Sequence, residues 1–154
     1  MVDKTKIHRE AQNFRWDGVE VLPYKEDDRA LFKAITRQVL FSDPQQASEL
    51  RYFEVAPGGF STLERHEHTH NVLILRGSGH CLVGNEVRRL ATNDLVAVPP
   101  MTWHQFRATG DEPLGFLCMV NTTRDKPQLP TSDEVTAMQR DEIVKGFLQG
   151  ERPS

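Results

Sequence analysis

The sequence predicts an all-β domain, a sandwich or barrel, followed by a C-terminal α-helix. Three observations carry this. Between residues 36 and 121, short apolar stretches alternate with turn signals at even spacing. The longest of them, such as NVLIL at 71–75 and FLCMV at 116–120, are strand length and far short of a membrane span. Beyond residue 130 the apolar residues fall at helical spacing instead.

Taken in order, residues 1–35 show no clean periodicity. Gly18, Pro23 and the acidic KEDD at 25–28 interrupt them, so the segment reads as an N-terminal arm that wraps something. TRQVLF at 36–41 reads as a strand, SDPQQ at 42–46 as a turn, and LRYFEVA at 50–56 as the next strand, ended by PGG at 57–59. Further strands are expected at 70–76, 80–83, 94–98, 104–108 and 114–121. Between them lie RGSG at 76–79, VGNE at 83–86, ATND at 91–94, PPMT at 99–102 and TGDEP at 109–113. The barrel is therefore expected over 36–122. KPQLP at 126–130 reads as a hinge to one helix over 131–149, packed on the barrel. Thr131 or Ser132 is its N-cap, with Asp133 and Glu134 in the first turn. Val135, Met138, Ile143, Val144 and Phe147 are its apolar face, and Gly150 and Pro153 end it.

A chain of 154 residues suits one domain with one core. The formal net charge of −3 gives no electrostatic case for nucleic acid. The polar start, MVDKTKIHRE, lacks a signal-peptide apolar region, so neither membrane association nor export is expected, and the compartment expected is the cytoplasm. Cys81 and Cys118, in apolar strand-like runs, read as reduced core thiols. GGFSTLE at 58–64 lacks the lysine of a phosphate-binding P-loop, and Ser61 is in no nucleophile elbow.

Chemistry concentrates in the histidines. Of six, His66, His68, His70, His80 and His104 fall between residues 66 and 104. The densest run is LERHEHTHN at 63–71, and PPMTWHQF at 99–106 adds one at the start of another strand. Residues two apart on a strand share a face, so Glu64 and His66 can converge if their segment is extended. Imidazole and carboxylate together suit first-row divalent metals, and a barrel interior supplies a shaped, dry cavity. Read alone, HEHTH is equally compatible with a solvated polar loop.

With those residues in view, the chain resembles the cupin superfamily. The first cupin motif is Gly, five residues, His-x-His, three or four residues, Glu, six residues, Gly. Gly58 and Gly77 take the glycine positions, and Glu64, His66 and His70 fall at the ligand spacings. Glu64 stands where a histidine is usual and His70 where the glutamate is usual. The second motif is matched by Asn93, Pro99, Met101, His104 and Ala108, with His104 on the metal histidine. The likeness covers residues 51–121. It implies a single double-stranded β-helix, or jelly-roll barrel, holding one divalent transition metal ion (Fe, Mn, Ni, Cu or Zn) with Glu64, His66, His70 and His104. A rival register pairs His66 with His68 and leaves Val72 or Leu73 at the glutamate position. A set of His66, His68, His70 and His104 is chemically acceptable too.

In the favoured register His68 lies in a turn near the barrel mouth, exposed to solvent, and is the one spare residue for acid–base catalysis. The resemblance implies a metal-dependent enzyme on a small oxygen-chelating substrate, foremost a dioxygenase, otherwise an isomerase or lyase. The alternative is a non-enzymatic module that binds a small molecule or metal. It also implies a homodimer that exchanges an edge strand, for which the arm and the strand at 36–41 are suited. Phe60, Trp103, Phe106 and Phe116 read as core more readily than as pocket lining. Arg37 and Arg51 read as surface, although turned inward they could bind an anionic substrate. Gln105 and Arg107 face away from the cavity.

Overall fold

The computed structural model describes residues 7–24 and 31–153, so the acidic run at 25–28 lies outside the described residues. Among the described residues, nine strands form one curled antiparallel sheet: β1 (Leu22–Pro23), β2 (Lys33–Asp43), β3 (Ser48–Phe60), β4 (His70–Arg76), β5 (Gly79–Val83), β6 (Glu86–Leu90), β7 (Leu95–Val98), β8 (His104–Arg107) and β9 (Leu114–Asn121). Their order is β6-β5-β8-β3-β9-β4-β7, with β2 also on β3 and β1 on β2. Strands distant in sequence, such as β3 and β8 or β4 and β9, thus lie side by side, as in a jelly roll.

The PGG expected to end a strand does not end it. β3 runs on to Phe60, and the extra residues form a bulge: Ile35 opposes Val55, but Lys33 opposes Phe60. Gly58 takes φ +77° there, in the left-handed region that glycine tolerates. Beyond the bulge Phe60 pairs with Arg107 of β8, so the bend carries β3 from one side of the barrel to the other. Gly77 is needed for a different reason. With φ +70°, a side chain there would strike the Pro113 carbonyl. Two strands fall outside the sequence expectation, the short β1 within the arm and β6. Of these, β6 is the longer. Its sequence, EVRRL, is polar because it is an edge strand with most of its residues exposed.

The core inside the barrel includes Phe53, Val55, Val72, Ile74, Phe106, Leu114, Phe116, Cys118 and Val120. Cys81 and Cys118 are both buried and unpaired, as expected. A second cluster, Leu82, Val144 and Phe147, lies beneath the C-terminal helices. There are two helices here rather than the single one expected: α1 (Ser132–Met138) and α2 (Glu142–Leu148). Thr131 caps α1 through a capping box with Glu134. The break comes from Asp141, whose carboxylate accepts from the N–H groups of Ile143 and Val144 and so starts a new helix.

The described part of the arm folds over its own barrel. Phe14 stacks on Tyr52 with ring centroids 5.7 Å apart, and Trp16 packs edge-on at 5.2 Å. The Gln38 amide donates to the Phe14 carbonyl at 2.8 Å. Tyr52 is therefore fully buried from outside the barrel, while Phe53 and Val55 are buried from inside.

Candidate metal centre

The segment 61–69 joins β3 to β4 and is held on three sides. Glu64 and His104 exchange both backbone hydrogen bonds, at 3.2 and 3.0 Å. Arg65 does the same with Gln128, and Met101 N–H donates to the His66 carbonyl. This extended backbone alternates as expected. Glu64 and His66 are 4% and 1% exposed, facing in, while Arg65 faces out and stacks over Trp103. A pair that exchanges both backbone bonds sets its side chains next to each other on one face, so Glu64 lies beside His104. His70 opens β4 and His104 opens β8.

The result is a compact group of imidazoles. One ligand nitrogen from each of His66, His70 and His104 lies within 4.8 Å of the others. Glu64 lines the same cavity. Two of the rings are oriented by carbonyl oxygens. His66 Nδ1 donates to the His68 carbonyl at 2.6 Å, and His104 Nδ1 donates to the Thr102 carbonyl at 2.9 Å. Because a carbonyl can only accept, each Nδ1 carries the proton and each Nε2 keeps its lone pair. His66 Nε2 is buried with no hydrogen-bond partner. A buried polar atom without a partner is costly, and a metal ion is the species that this arrangement would satisfy.

The electrostatics agree. Burial, and then the neighbouring His104 and His68, lower His66 from its ordinary 6.5 to about 4. His70 is pushed further down, first by burial and then by His104 and His66. Both rings are neutral at neutral pH, so protons do not compete with a metal there.

His68 differs from its expected place. Its side chain is only 6% exposed, not solvated in a turn. It stacks on His66 with centroids 3.7 Å apart, and its Nδ1 lies 2.7 Å from Asp125 Oδ1. Asp125 also accepts from the N–H groups of Glu67 and His68. The cause is Asp125, which sequence spacing gave no reason to connect with residue 68. His80 lies elsewhere, with its Nδ1 2.6 Å from the Thr109 hydroxyl.

Phe106 and Phe116 line the cavity, joined by Phe53, whereas Phe60 and Trp103 are covered by Arg107 and Arg65 outside it. Gln105 and Arg107 face away from the cavity toward the helices, as expected. Arg37 and Arg51, expected at the surface, are turned into the cavity wall together with Arg124. Cys118 is a core thiol that also reaches this wall, where burial raises its pKa and keeps it protonated. Sequence reading passed over Arg124 and Asp125. Both follow β9, in a stretch with no periodic signal.

The cupin domain family matches residues 51–120. An enzyme of Rhodospirillum rubrum named 1-methylthio-D-xylulose 5-phosphate methylsulfurylase is 57% identical over 137 residues, covering 89% of this chain and 88% of its own. The chain is a cupin. Solved cupins share its form. A cupin 2 conserved barrel protein from Rhodopseudomonas palustris is 53% identical, covers 92% of this chain and 98% of its own, and superposes with a TM-score of 0.87. A cupin-2 domain from Rhodospirillum rubrum is also 53% identical, covers 94% and 97%, and gives 0.84. Among the described residues of this cupin, no helix is long and apolar enough to cross a membrane.

Proposed function

We propose that this cupin is a metal-dependent enzyme acting on a small phosphorylated hydroxyketone, and that it removes a methylthio group from a pentulose 5-phosphate. The observation that carries the metal half is the buried, unpartnered Nε2 of His66 amid two further imidazoles. The substrate half is supported by the name of the Rhodospirillum rubrum relative, similar over nearly the whole chain.

Glu64, His66, His70 and His104 would hold one divalent ion, a set of one carboxylate and three imidazoles that suits Fe, Mn, Ni, Cu or Zn. When bound, such an ion would supply Lewis acidity toward substrate oxygens. A 2-ketopentose offers adjacent oxygens at C2 and C3. Phe53, Phe106 and Phe116 give the cavity an apolar wall against which a methylthio group is desolvated. His68, oriented by Asp125 and buried beside His66, is the residue positioned to move a proton.

The test is turnover. Tag-free protein loaded separately with Mn2+, Fe2+, Ni2+ or Zn2+ is given 1-methylthio-D-xylulose 5-phosphate with a small thiol to accept the sulfur. The thiol sulfur bonds to the methylthio sulfur as the C1–S bond breaks and C1 takes up the proton, so NMR follows replacement of the substrate's methylthio signal by that of a methyl disulfide and of a new C1 methyl group. Metal-dependent replacement, abolished by His104→Ala, is expected. An inert substrate, together with oxygen uptake on catechols, flavonols or β-diketones, would instead favour a dioxygenase, to which the same donor set is suited. No reaction in either assay would leave a binding module.

A further inference from the structure

We propose that Arg37, Arg51 and Arg124 form a subsite for the phosphate group of the substrate, on the wall of the cavity that holds the imidazoles. Arg51 on β3 and Arg37 on β2 are diagonal neighbours: Arg37 opposes Phe53, and Arg51 opposes Val39. Both therefore share the inward face with Phe53. Arg124 follows β9 and reaches the same cavity.

Arg51 is only 7% exposed, and its Nε is buried without a hydrogen-bond partner. The Nε of Arg37 is in the same condition. Arg51 touches the Cys118 sulfur at 3.8 Å and lies over the Phe53 ring, and neither contact neutralises its charge. Guanidinium is rarely left buried with donors idle unless an anion is to take them.

The idle donors point to an anion with several acceptor oxygens. Glu49 is the carboxylate between Arg51 and Arg124, with its Oε1 3.7 Å from Arg51 Nε and 3.4 Å from Arg124. Of the other carboxylates in the cavity, Asp125 is engaged by His68 and two backbone N–H groups, and Glu64 lies beside His104. Among the described residues, Glu49 is the carboxylate paired with these guanidinium groups, and the Nε donors of Arg37 and Arg51 stay open to a further anion. A phosphate monoester carries about −1.5 to −2 at neutral pH and presents three acceptor oxygens, whereas a carboxylate carries one charge and two. The subsite also sets polarity. With the phosphate at the arginines, the oxygens at the far end of a five-carbon chain are directed to the imidazoles.

The assignment of this phosphate to a substrate rests on the enzymatic reading above, but the binding it predicts does not. Calorimetric titration of metal-loaded protein with D-xylulose 5-phosphate and with D-xylulose separates the two. The phosphorylated sugar is expected to bind at least about tenfold more tightly. Arg37→Gln and Arg124→Gln should each weaken it by about ten- to a hundredfold, with metal content and D-xylulose affinity unchanged, as expected for the loss of charge-assisted hydrogen bonds. Arg51, the most buried of the three, is tested as Arg51→Lys, which keeps the charge but loses the bidentate fork; it should weaken phosphate-ester binding and spare D-xylulose. Equal affinity for the two sugars would overturn the subsite, as would variants that weaken both alike or displacement by acetate as effective as by inorganic phosphate. If the phosphate ester binds through the arginines but the methylthio substrate is not turned over, the subsite stands and the enzymatic reading falls.

Discussion

At the scale of single residues, the centre depends on which ring nitrogen each histidine presents. Carbonyl acceptors at His68 and Thr102 fix the proton on Nδ1 of His66 and His104, so each ring presents its lone pair at Nε2. Protonation should undo this, with a definite sign. The folded-state pKa of His66 is about 4 against an ordinary 6.5, so between those values the unfolded chain binds the extra proton. Metal-free protein should therefore lose stability as pH falls from about 6.5 toward 4, by an amount on the order of a few kcal/mol. Urea titrations at stepped pH measure it, and a flat profile would contradict the assignment. His68→Gln should retain the metal and reduce kcat by about a hundredfold, in line with loss of an acid–base group. Loss of metal in that variant would make His68 a ligand. The positions of Glu64, His66, His70 and His104 were legible because motif spacing reports backbone geometry. The inward arginines were not. β3 is apolar on both faces, since Tyr52 packs under the arm and Phe53 inside the barrel, so alternation alone could not assign Arg51 to a face.

At the scale of elements, turn residues were more legible than their consequences. Pro57, Gly58 and Gly59 were recognised as a break, but with partners on both sides they make a bulge rather than an end. β6 escaped notice because edge strands carry charge, and EVRRL has no apolar alternation to display. The C-terminal periodicity was real, but Asp141 divides it. Packing of α2 rests on Phe147 and Val144 against Leu82. Phe147→Ala should cost about 3–5 kcal/mol in chemical denaturation, with metal content per folded chain unchanged. If the metal were lost as well, helix packing and the centre would be coupled.

At the scale of the whole molecule, the barrel and the convergence of its histidines follow from strand spacing and two motifs, whereas the arm is set by aromatic contacts that no local pattern announces. Phe14 and Trp16 cover Tyr52 within one chain. The homodimer expected from the sequence remains a separate proposal, and sedimentation equilibrium at micromolar concentration should give twice the 17.6 kDa chain mass. The central claim is that His66, His70 and His104, with Glu64, are a metal centre. Elemental analysis of tag-free protein tests it most directly. About one equivalent of a transition metal per chain is expected, falling to near zero in both His66→Ala and His104→Ala while the fold persists. Wild-type protein that takes up no metal, or full occupancy in both variants, would contradict it.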